Sequence, residues 1–471
     1  MRAEQRREQM QYRINLPFLM TLIPRGVFAV SQRLQAHGKR SWLVGGCVRD
    51  LLLGRHGCDW DFATDAVPDD VMRIFSHVIP TGIRHGTVTV IHGKEHYEVT
   101  TLRGEAPYTD GRRPDFVYFV SDLEADLARR DFTINAIALD LLQERLIDPF
   151  GGLSDLKRGL LKAVGNPLAR FCEDGLRILR AARFVATLSV ELDPATELAM
   201  DKALDTYRKV SQERVRGEWL KTMKAASPSR AFEVMRKAGI LQVTCPELLE
   251  GVGFAQNRYH AYDVWRHNLE CMDRCRGDPI LRVAALMHDI GKPRTRGWSE
   301  KHQDYTFYNH DQVGAEMVGR ICRRLRFSNE EQQRIAHLVR CHMFYYTPEW
   351  TDAAVRRWVK RVGPEHMESF YTLHEADVLS KGKETADGLE SLAGLKAHVN
   401  RVLAQGATFS TRDLAVNGGE LIKELGLQPG PLVGQLLRSL LEEVLIDSSV
   451  NCRQALLERA RALLRSSISS T

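Results

Sequence analysis

The hydrophobic period changes along this chain, and that change limits the fold more than any composition figure. From about residue 40 to 150, short β-branched runs such as "TVTVIHG" and "HYEVTTL" alternate with helical patterns, which predicts a small α/β head with a mixed sheet. From about residue 155 the pattern is almost purely helical. "FCEDGLRILRAARFVATL", "LRVAALMHDIGKP", "EEQQRIAHLVRCHM" and "GPLVGQLLRSLLEEVL" all place apolar residues at helical spacing. At 471 residues the chain is too long for one core. Breaks at "GGLSDLKRG", around 245 to 260, and at "LAQGATFS" suggest an extension (1–40), the head (41–155), a helical neck (156–250), a helical domain (251–395) and a C-terminal helical segment (396–471). There is no internal repeat, and the only low-complexity stretch is the tail "RSSISST".

No apolar run approaches the roughly eighteen residues that cross a bilayer, which argues against an integral membrane protein. The start, "MRAEQRREQMQYRINLPFLMTLIPRG", pairs basic residues with a short apolar patch but includes Glu4 and Glu8 and lacks a small-residue cleavage site. It reads as an ordered or partly frayed extension. The 9 cysteines are scattered, and Cys271 and Cys275 have no second pair nearby, so buried thiols in a reducing cytoplasm are expected rather than a structural zinc site. A net charge of +6 permits a nucleic-acid partner without requiring one. Oligomeric state is not encoded at this level.

The segment "LVGGCVRDLLLGRHGCDWDFAT" holds the densest chemistry. In a half-buried strand, Trp60 and Phe62 face one side and Asp59 and Asp61 the other, because side chains alternate. Two carboxylates on one face suit hard divalent cations. Gly45 and Gly46 allow close backbone approach to a phosphate, and Arg49 neutralises phosphate charge. The competing explanation of Asp-x-Asp alone is a solvated strand edge.

"LVGGCVRDLLLG", the Asp-Trp-Asp, "RRDFTINAIALD", "DPFGGLSDLKRGLLKAVGNPLARFCEDGLRILRAARF" and "VSQERVRGEWLK" follow one another over residues 41 to 222. This series resembles the motifs of class II tRNA nucleotidyltransferases and bacterial poly(A) polymerases, with a weaker likeness to the C-terminus. The resemblance implies a polymerase-β-like head in which Asp59 and Asp61 carry catalytic Mg²⁺ and Gly46, Arg49 and Arg130 contact the nucleotide. Glu98 in "HYEVTT" is a candidate third carboxylate; an outward edge-strand Glu explains it equally well. Residues 101 to 122, rich in Gly, Pro, Arg and Asp, are expected to form a mobile loop, which in this family helps the pocket switch nucleotides and favours adenosine addition.

"EDGLRILRAARF", read as a helix, places Glu173 and Arg177 four apart, Asp174 and Arg177 three apart, and Arg180 and Arg183 on the same stripe. A salt-bridged exposed face is the ordinary explanation. The functional one explains more. Cytosine and adenine both present an amino donor beside a ring-nitrogen acceptor, whereas uracil and guanine present the reverse. Asp174 accepting and Arg177 donating would select C and A without a template, leaving Arg180 and Arg183 for triphosphate oxygens. "VSQERVRGEWLK" is expected to brace this neck, with Ser211 as N-cap.

In the second half, "LRVAALMHDIGKP" buries adjacent His288 and Asp289 in an apolar helix, where a metal would offset the cost. His267, His288, Asp289 and Asp377 resemble the ligand order of HD-superfamily phosphohydrolases, and His310 and His342 match the extra histidines of its two-metal members. That implies an HD domain over 251–395 with a transition metal (Mn, Ni, Fe or Co) and phosphatase or phosphodiesterase activity. His260, His302 and His337 fall outside the pattern and read as structural.

The leading expectation is template-independent addition of CCA to tRNA from CTP and ATP, in the cytoplasm, with a second hydrolytic centre. CC-only or A-only addition, poly(A) synthesis, and an HD hydrolase with a non-catalytic RNA-binding head are the alternatives. For the C-terminal segment the resemblance implies contact with the tRNA elbow, and helical hairpins that merely pack explain it as well.

Overall fold

The computed structural model describes residues 15–55, 57, 59–105, 117–383, 385–404 and 409–468. Residues 106–116 of the expected mobile loop lie outside the described residues, as do 405–408 of the expected joint and 469–471 of the tail. The chain divides into two compact units, Met1–Thr244 and Cys245–Thr471.

The first unit is built on a seven-stranded sheet. Its order is β3 (Val78–Gly82), β4 (Thr87–His92), β5 (Glu95–Thr101), β2 (Trp60–Thr64), β1 (Ser41–Val44), then Ala138–Asp140 and Arg145–Ile147. Only β2 and β5 run parallel; the other pairs are antiparallel, so the sheet is mixed as expected. Alternation sorts its side chains. Leu43, Phe62, Val88, Val90, Tyr97 and Val99 join Val27, Val30 and Leu34 of the helix Arg25–Ala36 in one core, with Trp60 packed against it. Trp42, Val44 and Ala63 join Leu102, Leu123 and Leu127 in another. From Leu16 onward the N-terminal extension is therefore part of the head's core.

Helices Pro167–Glu173, Leu176–Leu188, Gln212–Thr222 and Ser229–Lys237 complete this unit, with Trp219 against Phe232 edge to face at 5.1 Å. The single helix expected across "EDGLRILRAARF" is interrupted. Asp174 is extended (φ −139°, ψ 106°), and a Cβ on Gly175 would lie 2.6 Å from the Tyr207 amide nitrogen. Backbone passing that close admits only glycine; the break itself lies at Asp174, and Gly175, with φ −57° and ψ −22°, already enters the next helix.

The second unit is helical apart from the hairpin Gly297–Ser299/Asp304–Thr306. Two apolar clusters fill its later part, one from Cys341 to Val402 and one from Leu414 to Ala460, the latter made by the expected leucine-rich hairpins. Buried Arg356 donates to the Leu445 (2.8 Å) and Ile446 (2.9 Å) carbonyls, satisfying the end of the helix Pro431–Ile446. Among the described residues no helix is long and apolar enough to cross a membrane. The eight described cysteines are free thiols, six of them buried.

Candidate functional site

In the head, β1 ends at Val44 and the chain turns through Gly45 into the helix Gly46–Leu52. Gly45 has φ 76° and ψ −132°, and a Cβ there would sit 2.8 Å from Arg130 Nη1. Of the glycine pair it is Gly45, not Gly46, whose missing side chain makes room, because a Cβ on Gly46 would meet only Arg49 Nη2 at an ordinary 3.7 Å.

Asp59 leads into β2 and Asp61 lies on it, opposite Glu98 of β5 in the parallel ladder. Burial, then Glu98, push the Asp61 carboxyl up to about 6; Arg130 opposes the shift and Asp59 adds to it. Crowded carboxylates of this kind fit hard divalent cations, which remove their repulsion. Asp59, Asp61 and Gly46 line a cleft of about 620 Å³ together with Asp50, Arg55, Arg183, Lys221 and Lys224.

The arginines singled out by sequence are mostly held by acids. Arg49 is buried, donates to both oxygens of Asp50 (2.9 Å each from Nη2) and to Asn135 Oδ1 (2.6 Å), and lies over Phe184. Arg130 donates to Asp126 (3.3 Å), and its buried Nε has no partner among the described residues. Arg177 donates to Glu173 (2.6 Å) and to the Arg170 and Arg129 carbonyls. Arg180 pairs with buried Asp131 at 2.6 Å. Arg183 donates to Glu218 at 2.5 Å and covers the Phe184 ring at 4.0 Å.

Asp174 and Arg177 share a turn, through the Arg177 amide to the Asp174 carbonyl at 3.0 Å, yet their side chains have different partners: Asp174 Oδ2 accepts from Arg214 at 2.7 Å. The helix Gln212–Thr222, read as a brace, thus contacts Asp174 through Arg214 and Arg183 through Glu218. Ser211 occupies its N-cap position without a side-chain capping bond. Sequence reasoning missed Arg55, Lys221 and Lys224 on the cleft lining; the only local signal was the three-residue spacing of Glu218, Lys221 and Lys224 across the end of the helix Gln212–Thr222.

In the second unit, the helix Val264–Arg274 carries His267, the turn after Pro279–Met287 carries His288 and Asp289, His310 opens His310–Arg324, His342 follows Asn329–Cys341, and Asp377 lies on Met367–Ser380. All six are buried. His288, His310 and His342 place Nδ1 on the carbonyls of Ala285 (2.8 Å), Phe307 (2.6 Å) and Val339 (2.6 Å), and His267 on Ser380. A carbonyl can only accept, so Nδ1 carries the hydrogen, and in the neutral ring Nε2 then keeps its lone pair.

Those lone pairs converge: His267 Nε2 is 3.1 Å from His288 Nε2, and His310 Nε2 is 3.3 Å from His342 Nε2. Asp289 spans the two pairs, Oδ2 lying 3.3 Å from His267 and His288 and Oδ1 3.3 and 3.5 Å from His310 and His342. Asp377 stands 3.1 Å from His267. Facing acceptors repel unless a cation sits between them, so the donor set fits a transition metal. His260, set aside at first, belongs here: its ring packs edge-on at 4.9 Å from His267, and it joins His267 and Asp289 as a possible ligand group. Lys292 pairs with Asp289 at 2.5 Å.

Residues 41–162 match the poly A polymerase head domain, 189–251 the RNA- and SrmB-binding site of polymerase A, and 305–460 domain 2 of tRNA nucleotidyltransferases. A CCA-adding enzyme of Lactococcus lactis is 32% identical over 449 residues, covering 92% of this chain and 96% of that protein. An A-adding tRNA nucleotidyltransferase of Deinococcus radiodurans is 35% identical over 411 residues, covering 85% and 90%. The crystal structure of the Bacillus stearothermophilus CCA-adding enzyme in complex with CTP superposes with a TM-score of 0.68 at 28% identity, covering 95% of this chain and 99% of that one. With a relative of this identity along nearly its whole length, a matched head domain and carboxylates gathered in the head's cleft, the chain belongs to the tRNA nucleotidyltransferase family.

Proposed function

We propose that this protein adds CCA to tRNA 3′ ends from CTP and ATP, and that its second unit is an HD-type phosphohydrolase. The observation that carries the first part is Asp61 beside Asp59 and opposite Glu98, in a cleft also lined by Arg55, Arg183, Lys221 and Lys224. Bound by Asp59 and Asp61, Mg²⁺ supplies Lewis acidity toward the phosphate and the attacking hydroxyl. The tRNA 3′ oxygen bonds to the α-phosphorus, the bond from that phosphorus to the bridging oxygen breaks, pyrophosphate leaves, and the hydroxyl proton passes to water.

Asp174, steadied by Arg214, accepts from the amino group of C or A, while Arg177 donates to the ring nitrogen; its bonds to Glu173 and two carbonyls do not exhaust the five donors of a guanidinium. Gly45 lets Arg130 lie against the turn beside the aspartates. Transfer RNA is held mainly by phosphate contacts, so affinity falls as salt rises.

The converging imidazoles and carboxylates support the hydrolytic reading, with Mn, Ni, Fe or Co as metal. The deciding experiment is extension of tRNAs ending before CCA, after C and after CC, with CTP and ATP separately and together, resolved to one nucleotide. Completion to CCA and arrest supports the proposal. Addition of A alone would favour the partial activity named for the Deinococcus relative, and unlimited A tails would favour a poly(A) polymerase.

A further inference from the structure

Arg49, Arg177, Arg180 and Arg183 each donate to a carboxylate, so their charge is largely balanced within the protein. Three other cations line the cleft of Asp59 and Asp61 beside Arg183. The Lys224 ammonium has no acid partner among the described residues, and Arg55 donates only to the Thr187 carbonyl, at 3.1 Å. Lys221 lies 3.3 Å from Glu218, a carboxylate already engaged by Arg183, and its side chain is 58% exposed.

We propose that Arg55, Lys221 and Lys224 seat the β- and γ-phosphates of the incoming nucleotide and the pyrophosphate they become, a role that rests on reading the head as a nucleotidyltransferase. The volume of the cleft favours a single nucleotide: about 620 Å³ is within the range of small-molecule sites. Its charge layout agrees. The carboxylates of Asp59 and Asp61, where an α-phosphate would be met by metal, line the same cleft as these cations, which would answer the charge that grows on the leaving group as the bond breaks. Lysine and arginine that no acid balances contribute more to an anion than an arginine that must be shared.

The test uses the full chain with Mg²⁺ and the variants Lys224→Ala, Arg55→Ala, Lys221→Ala and Lys224→Arg. Binding of CTP, CMP and tRNA is measured at equilibrium, with inhibition of extension by inorganic pyrophosphate alongside. The expected result for each alanine variant is CTP affinity reduced by about tenfold, the loss of one charge-assisted hydrogen bond. The pyrophosphate inhibition constant rises in parallel, CMP and tRNA affinities stay at wild-type values, and Lys224→Arg retains most of the CTP affinity. Unchanged CTP and pyrophosphate binding overturns the proposal. So does reduced tRNA affinity with a shallower salt dependence at unchanged CTP binding, which would assign these cations to RNA phosphates. Should the wild-type chain itself neither bind CTP nor extend any tRNA, the nucleotidyltransferase reading fails first, a result distinct from any variant's behaviour.

Discussion

Asp61 stands opposite Glu98 across the parallel pairing of β2 with β5, and Glu98 is second only to burial in raising the Asp61 carboxyl to about 6. On the proposed reading, removing Asp61 takes away a metal ligand, whereas neutralising Glu98 changes only how strongly the pair draws a cation. Asp61→Ala is expected to lower nucleotide addition at least a thousandfold, on the order of 4 kcal/mol. Glu98→Gln is expected to retain activity while raising the Mg²⁺ concentration needed for half-maximal rate several-fold. Extension rates across a Mg²⁺ titration check both; β5 lies between β4 and β2, so the edge-strand explanation of Glu98 does not hold, and an unaltered Mg²⁺ requirement in Glu98→Gln would leave it a plain residue of an interior strand.

The lone pairs of four imidazoles converge around Asp289. Stripping metal with a chelator should lower the melting temperature of the full chain, and Mn²⁺ or Ni²⁺ should restore it. A ligand at a hundred times its Kd contributes about 2.7 kcal/mol. His288→Ala is expected to abolish both this response and phosphoester hydrolysis while sparing CCA addition, as Asp61→Ala spares hydrolysis. Loss of both activities in either folded variant would refute two separate centres.

Arg214 holds Asp174 Oδ2 at 2.7 Å. Without it the carboxylate keeps only the Leu176 amide, 3.0 Å from Oδ1, and on the proposed reading presents a less fixed acceptor to the amino group of C or A. Arg214→Ala should therefore reduce discrimination of CTP over UTP by about tenfold or more while keeping substantial CTP addition, since a site built for a hydrogen bond loses selectivity when its geometry relaxes. Competition between CTP and UTP on a tRNA lacking CCA measures the ratio; equal discrimination in variant and wild type would assign Arg214 to packing alone.

Burial pushes the Asp131 carboxyl up, but Arg180 and the Asn135 amide outweigh it and hold the group below the usual range; Glu218 is lowered likewise against its burial by Arg183, Arg180 and Lys221. A depressed carboxylate stabilises the fold above its unfolded pKa, about 3.9 for Asp, and loses that contribution as pH falls through the folded value. Asp131→Asn should cost roughly 3–5 kcal/mol at pH 7 by leaving Arg180 unpaired. The gap to wild type should stay constant from pH 7 to 5 and narrow below about pH 4, by at most about 1.4 kcal/mol per pH unit. Urea unfolding at several pH values measures it, and a gap that widens on acidification would contradict the assignment.

Rules that act on chain neighbours made part of this protein legible. Alternation along "CDWDFAT" sent Trp60 to the core and Asp61 to the other face, and the shift in hydrophobic period marked the mixed-sheet head and the helical body. The order of His267, His288, Asp289, His310, His342 and Asp377 pointed to one cluster, and the fold brings those six together.

Tertiary structure decided the rest, because a charged side chain's partner is chosen by packing and not by sequence distance. Nothing local to β2 could fix its parallel register with β5, which sets Glu98 against Asp61. The helical spacing of "EDGLRILRAARF" gave no sign that Gly175 meets the Tyr207 backbone, that the helix breaks at Asp174, or that Asp174 would take Arg214 as its partner in place of Arg177. Lys221 and Lys224 stood out in no sequence pattern, and folding carries them to the cleft of Asp59 and Asp61. Residue types and their periods specified which groups are available and which face they take; only contact between segments distant in sequence determined which charges are balanced and which remain to hold a substrate.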